Sequence, residues 1–371
     1  MRILDAARTP YECPFTQTYR TATATHETRD GDLVHLGTDA GVLGLGEAAP
    51  LSNRTRPLAQ TRRALDDALA RLETRDGGPE QALADLDALA GEARAARFGL
   101  SLALEDALAR DEKVRLADHL GDRYLERPSS ADRVPVNATI PDASVDETRE
   151  RARQAAADGY DVIKLKAGRE DLEHDVERLE AVDDAAPEAR IRLDVNGAWP
   201  SLDVARRSLE RLAGFDLELV EQPLPADELQ AMARLRNEAE VPIAADEPAR
   251  DPASARATIL SRCCDVLVVK PMVLGGVDRA LEIAELAHRE AVDVVVTTTI
   301  DTAVARAGAL HVAAALPQAR PHGLATGWML ADEPASFDER IEDGHMLVPE
   351  IPGHGARRSS GGSKLRHPGD P

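Results

Sequence analysis

The spacing of apolar positions along the chain changes character twice. Residues 1 to about 50 alternate with the period of a strand, as in Asp32-Leu33-Val34-His35-Leu36, with a turn at Thr38-Asp39-Ala40-Gly41 and a further strand toward Glu47. From Thr55 to about Leu120 the period lengthens to that of a helix. Leu65, Leu69 and Leu72 share one face, Gly77-Gly78-Pro79 breaks the run, and helical stretches resume through Leu89 and from Leu104 to Leu108. This pattern predicts a small α+β domain over residues 1–127. After Arg127-Pro128-Ser129-Ser130 short apolar runs alternate with amphipathic stretches about every 25 to 30 residues.

The apolar runs predict strands at Val134 to Thr139, Val162 to Lys166, Ile191 to Val195, Leu217 to Glu221, Ile243 to Asp246, Val266 to Lys270, Val294 to Thr298 and, weakly marked, Gly323 to Thr326. Eight parallel strands separated by helices give an α/β class and a closed (β/α)7β barrel over residues 128–330. A doubly wound open sheet fits less well, because no G-x-G-x-x-G follows the first strand. Residues 331–352 read as an irregular return segment packing on the first domain. Residues 353–371, rich in Gly, Ser, Pro and Arg, read as a disordered tail.

A chain of 371 residues accommodates a barrel plus a smaller module. No apolar run reaches the roughly 18 to 20 residues of a membrane span, and MRILDAARTP lacks a signal-peptide pattern, so a soluble, cytoplasmic protein without membrane contact is expected. Net charge is -21, but the acids are scattered rather than blocked, which argues against a nucleic-acid partner. With 3% aromatics and many small apolar residues, the acidity suggests a halophilic surface. Cys13, Cys263 and Cys264 match no metal knuckle and are expected to be structural. The pattern leaves the oligomeric state open.

One compositional feature bears on chemistry. Of 45 basic residues only Lys113, Lys164, Lys166, Lys270 and Lys364 are lysine. Arginine stays charged at ordinary pH, whereas a lysine can be tuned to give up its proton. Three of the five lie at predicted strand ends, and in a barrel the C-terminal strand ends carry the active site. The second strand ends Lys164-Leu165-Lys166, and period-two alternation puts both ammonium groups on one face. Two adjacent like charges disfavour double protonation, which suits one of them to act as a base. The third, fourth and fifth strands end in Asp194, Glu221 and Asp246. A lone acid there is equally well a helix cap, but three on consecutive strands imply a cation between them, and oxygen-only donors suit Mg²⁺ rather than Zn²⁺. The sixth strand places Lys270 across the mouth, as a second catalytic amine or a counter-charge.

The order Lys-x-Lys, Asp, Glu, Asp, Lys, with intervals of 28, 27, 25 and 24 residues from Lys166 onward, resembles the enolase superfamily, in its muconate-lactonizing subgroup. That resemblance makes residues 1–127 a capping domain and implies a metal-dependent removal of a proton next to a carboxylate through a stabilised enediolate. A lysine or histidine base working beside Mg²⁺ is the established chemistry of that superfamily. Within the subgroup the chain is most similar to the o-succinylbenzoate synthases, on Thr28-Arg29-Asp30-Gly31, on Thr297-Thr298-Thr299-Ile300-Asp301-Thr302 and on Gly323-Leu324-Ala325-Thr326. By that resemblance Lys166 removes the proton and assists loss of the hydroxyl from 2-succinyl-6-hydroxy-2,4-cyclohexadiene-1-carboxylate, a step of menaquinone biosynthesis. Lys270 faces the delocalised anion, Lys164 keeps the pKa of Lys166 low, and Asp194, Glu221 and Asp246 hold Mg²⁺. Tyr19 and Arg20 in a loop at about 16–25 become lid residues, and Gly275, Gly276, Thr298 and Thr299 become candidate donors to the succinyl carboxylate. An N-succinylamino acid racemase or dipeptide epimerase shares the core residues, with muconate cycloisomerization a more distant alternative. The resemblance gives dipeptide epimerases an Asp-x-Asp near the eighth strand, where this chain reads Thr326-Gly327-Trp328-Met329-Leu330. A Schiff-base aldolase using Lys166 or Lys270, and a non-catalytic binding barrel, are the readings from other classes.

Overall fold

A computed structural model describes residues 1–20, 25–51, 57–74, 77–127 and 129–359. The chain opens with an antiparallel sheet of β1 (Ile3–Arg20), β2 (Thr25–Thr38) and β3 (Leu43–Ala48). Helices α1 (Leu58–Glu73), α2 (Pro79–Ala84), α3 (Leu86–Ala90), α4 (Arg94–Glu112) and α5 (Leu116–Leu125) follow. The expected loop at 16–25 is instead mostly a continuation of the β1–β2 ladder, which pairs Tyr19 with His26 and Arg20 with Thr25. Residues 21–24 lie outside the described residues.

Helix α4 is buried from Ala95 to Ala109, and its Ala, Gly and Ser positions let the sheet approach at backbone distance. A Cβ on Gly46 would lie 1.9 Å from the Gly99 carbonyl oxygen, and one on Gly44 2.1 Å from that of Ala103. The alternate glycines of β3 are therefore what allows the sheet to seat on α4.

Beyond the cap come β4 (Arg133–Pro135), β5 (Ala138–Ile140), α6 (Val145–Ala157), β6 (Val162–Lys166), α7 (Leu172–Ala185), β7 (Arg190–Asp194), α8 (Leu202–Leu212) and β8 (Leu217–Glu221). They are followed by α9 (Leu229–Glu238), β9 (Ile243–Ala245), α10 (Pro252–Leu260), β10 (Val266–Val269), α11 (Pro271–Leu274), α12 (Val277–Arg289), β11 (Asp293–Val296) and α13 (Ala303–Ala315). Strands β5 to β11 pair in parallel in chain order, the curled sheet of the expected barrel.

Two strand expectations need correction. The run Val134 to Thr139 is split: β4 leaves the barrel and pairs antiparallel with β14 (His345–Leu347), itself paired with β13 (Ile341–Glu342), so the barrel takes up the run only from Val136, with Ala138–Ile140 as its strand. The eighth strand shrinks to two parallel bridges, Val136 with His322 and Thr297 with Gly323, and Thr326 already belongs to the turn beyond. The buried His322 explains why so little strand suffices. Its Nδ1 accepts the Val296 N–H at 2.9 Å, so an imidazole stands where a strand carbonyl would otherwise be needed.

Order extends past Gly353, where the tail was expected to begin. Gly353 N–H donates to the Val114 carbonyl, and Leu116 N–H donates to that of Gly353. His354 is buried, donates its backbone N–H to Asp106 at 2.9 Å and places Nε2 2.8 Å from the Leu45 carbonyl oxygen. The last strand, β15 (Arg357–Arg358), pairs with β12 (Ala335–Ser336). Residues 360–371 lie outside the described residues. The three cysteines are buried and unbridged, and among the described residues no helix is long and apolar enough to cross a membrane.

Two buried residues of the cap clasp the barrel. Glu47, at the end of β3, accepts from the Tyr11 hydroxyl, from Thr302 N–H and hydroxyl, and from Ala305 N–H, all within 3.0 Å. It thereby caps the N-terminus of α13 from another domain. Arg29 of β2 donates to the carbonyls of Ile300, Ala49 and Pro50 and pairs with Asp301 at 3.2 Å.

Inside the cap, His119 of α5 lies 2.8 Å from buried Glu105 and 2.7 Å from Glu112, both on α4. Burial pulls the imidazole pKa down, but the two carboxylates outweigh it and hold the group above its ordinary value of 6.5. The folded state thus binds this proton more tightly than the unfolded chain. The contribution is complete below about pH 6.5 and is lost as pH rises through the raised value. Urea midpoints measured against pH should fall across that window for the wild type and stay flatter for His119→Gln; parallel profiles would contradict the assignment.

Candidate active site

Strand register decides the site. Lys166 pairs with Asp194, and Asp194 with Glu221, so three neighbouring strands end at one level. Alternation turns Lys164, Lys166, Asp194 and Glu221 toward the barrel axis, and Asp246 and Lys270 complete the rim directly after β9 and β10. Beneath them Leu219, Ala244, Val266, Val268 and Val295 form a separate apolar cluster within the barrel. This layer keeps water from the carboxylates on one side.

The six charged groups are interlocked. Lys164 Nζ lies 2.6 Å from Glu221 Oε2 and 2.8 Å from Asp194 Oδ2. Lys166 Nζ lies 2.6 Å from the same Asp194 oxygen and donates to Asn196 Oδ1 at 3.1 Å. Lys270 Nζ meets both Asp246 oxygens, at 2.7 and 2.6 Å. The carboxylates are almost fully buried, while the Lys166 side chain is the most exposed of the three ammonium groups at 28%. Lys166 therefore has the readiest access to a molecule in the mouth.

Burial alone would raise Asp194, but Lys164 and Lys166 outweigh it and hold its carboxyl below the ordinary range. Glu221 goes the other way: burial and repulsion from Asp194 raise it against the pull of Lys164. Burial lowers Lys164, and Asp194 and Glu221 more than reverse this, so it sits above the ordinary lysine value. The lysine pair is thus not a bare like-charge pair, as its spacing suggested. Each ammonium has carboxylate partners, and Lys164 is a firmly held cation.

The other anticipated residues divide. The N–H groups of Gly275 and Gly276 both donate to the Pro271 carbonyl, ending α11, so they are not turned to the mouth as substrate donors. Thr298 shares a hydrogen bond of 3.0 Å with Thr326, and Thr299 bonds Asp301 and accepts from Arg29. Both hydroxyls serve the clasp and the rim. The side chains of Tyr19 and Arg20 lie outside the described residues.

Asn196, Gln222 and Glu247 were missed by sequence reasoning. Asn196 and Gln222 hold φ of 50° and 44°, in the left-handed region that asparagine visits readily and glutamine seldom does. Gly197 N–H donates to the Gln222 carbonyl at 2.6 Å. Gln222 Oε1 accepts from the N–H groups of Asp246 and Glu247, at 3.0 and 3.2 Å. Asn196 Nδ2 returns to Glu247 Oε1 at 3.2 Å, closing a ring behind the acids. The available signal was position: each follows a strand-end acid by one or two residues.

Among the described residues no three His, Cys, Asp or Glu side chains stand ready to share one ion, because ammonium groups occupy the carboxylate oxygens. The donor chemistry still suits a hard cation, with three oxygen ligands on consecutive strand ends and no imidazole or thiolate among them.

Comparison with known proteins agrees with this geometry. The family model described as Enolase C-terminal domain-like matches residues 147–359. The L-Lys-D/L-Arg epimerase of Methylococcus capsulatus is 33% identical over 361 residues, 96% of this chain and 99% of that protein. The o-succinylbenzoate synthase of Thermobifida fusca is 43% identical over 193 residues, 50% of this chain and 57% of that enzyme. A solved structure of the dipeptide epimerase from Methylococcus capsulatus, complexed with Mg and the dipeptide L-Arg-D-Lys, superposes with a TM-score of 0.87 at 32% identity, covering 96% of this chain and 99% of that one. The match of that family model to more than half of the chain, together with a relative 33% identical along 96% of it, makes the chain a member of the enolase superfamily.

Proposed function

We propose that the chain is a magnesium-dependent enzyme that removes a proton alpha to a carboxylate, either as an epimerase of amino-acid derivatives, which similarity along 96% of the chain supports better, or as an o-succinylbenzoate synthase, which expels a hydroxyl from the same face of a cyclohexadiene ring. The observation that carries the proton chemistry is the placement of Lys166 and Lys270 around three buried carboxylates. Asp194, Glu221 and Asp246 would hold magnesium, which when bound supplies positive charge to the substrate carboxylate and makes the neighbouring C–H more acidic.

Lys166, as the neutral amine, takes the alpha proton. In the synthase reading the resulting ammonium then gives a proton to the departing hydroxyl, so water leaves and the ring becomes aromatic. Lys270 presents its cation to the opposite face, where negative charge spreads over the ring. Lys164, paired with Asp194 and Glu221, neutralises acids that would otherwise repel the substrate. The synthase reading draws on the 43% identity to a synthase over half of the chain.

Epimerization of an amino-acid derivative is the reading with the better support, because the similarity to an epimerase runs the length of both chains where that to the synthase spans about half. In it the proton taken on one face by Lys166 is replaced on the other by Lys270.

Absorbance during aromatisation distinguishes these readings. The synthase reading predicts magnesium-dependent turnover that chelator abolishes and that Lys166→Ala lowers by on the order of 10³-fold. Silence in that assay, with deuterium from heavy water entering the alpha position of L-Lys-L-Arg, would move the function to epimerization. In chelator, Lys164→Met leaves Asp194 and Glu221 as neighbouring buried acids and should cost about 3–5 kcal/mol in urea unfolding, part of it regained with magnesium. An unchanged midpoint would show that the acids are not charged together.

A further inference from the structure

We infer that Asn196, its amide held in one orientation by Glu247, is a positioning residue for the Lys166 amine. This rests on the proposed proton abstraction for its consequence, but the geometry stands apart from any substrate. Asn196 Oδ1 accepts from Lys166 Nζ at 3.1 Å, while its Nδ2 donates to Glu247 Oε1 at 3.2 Å. An amide can face either way, and its two ends are chemically opposite. A carboxylate accepts only, so Glu247 selects the Nδ2 end and leaves the carbonyl oxygen for the lysine.

With Asp194 and Asn196 each accepting an N–H, the Lys166 ammonium cannot swivel about its Cε–Nζ bond. The proton exchanged with a substrate then travels in a fixed direction, which is what an oriented base contributes. The backbone N–H of Asn196 is tied to Asp194 Oδ1 at 3.2 Å, which fixes the main chain from which the amide projects. The ring through Gly197, Gln222 and Glu247 anchors the arrangement to the ends of β7, β8 and β9.

The scarcity of lysine makes a direct test practical. With five lysines in the chain, ¹⁵N-lysine labelling of the full-length protein gives few ammonium resonances, assignable by Lys164→Met, Lys166→Ala and Lys270→Met. Asn196→Gly keeps the backbone conformation and removes the amide; Glu247→Ala removes its orienting partner; Glu247→Gln retains an acceptor. In the presence of magnesium, the first two should shift or broaden the Lys166 resonance while leaving those of Lys164 and Lys270 in place, and Glu247→Gln should restore it. In turnover they should lower kcat about tenfold or more with KM within about twofold. An unmoved Lys166 resonance, or equal disturbance of all three, overturns the inference, as does a shifted resonance with unchanged kcat. A selective Lys166 shift in a protein whose wild type turns over neither the cyclohexadiene nor L-Lys-L-Arg would instead uphold the positioning and remove the proposed activity.

Discussion

Three carboxylates stand side by side, almost without solvent, at the mouth of the barrel, and the rest of the site is arranged so that they can be there. An unpaired buried carboxylate neutralises itself or destabilises the fold. Here Lys164, Lys166 and Lys270 supply three ammonium charges against Asp194, Glu221 and Asp246. The pairing explains why lysine persists at these positions in a chain that otherwise prefers arginine. A guanidinium would balance the charge but would not give up its proton. Stability and chemistry thus use the same three side chains.

The cap is tied to this centre by charge as well. Glu47 and Arg29 are both buried and both reach the segment Thr299 to Thr302, where the seventh barrel strand gives way to α13. Nearer the tip of the hairpin, Phe15 bridges Leu330 and the Thr16 hydroxyl donates to the Trp328 carbonyl. The two ends of the cap sheet therefore hold adjacent parts of the rim, one after the seventh strand and one after the eighth.

The parts legible in the sequence are those governed by local rules. Period-two alternation put Lys164 and Lys166 on one face, and the apolar runs before Asp194, Glu221 and Asp246 marked strand ends that share a level in the barrel. Contacts made at long range were not legible. Nothing near His322 shows that its ring will replace a strand carbonyl, and the Val134 to Thr139 run gives no sign that β14, over two hundred residues on, takes its first half. Gly275-Gly276 looked like an anion cradle because the motif leaves open where its N–H groups point, and a four-residue helix claims both. His354 lies in a stretch of tail-like composition, and its burial depends on Asp106 and Leu45 in the cap.

The account stands on those three carboxylates acting as the seat of a hard cation. Calorimetric titration of magnesium into the metal-free protein, with Asp246→Asn alongside, tests this without any substrate. The account predicts a single saturable binding event in the wild type, weakened by on the order of tenfold or more in the variant. Absence of saturable binding, or equal affinity in both proteins, would contradict it.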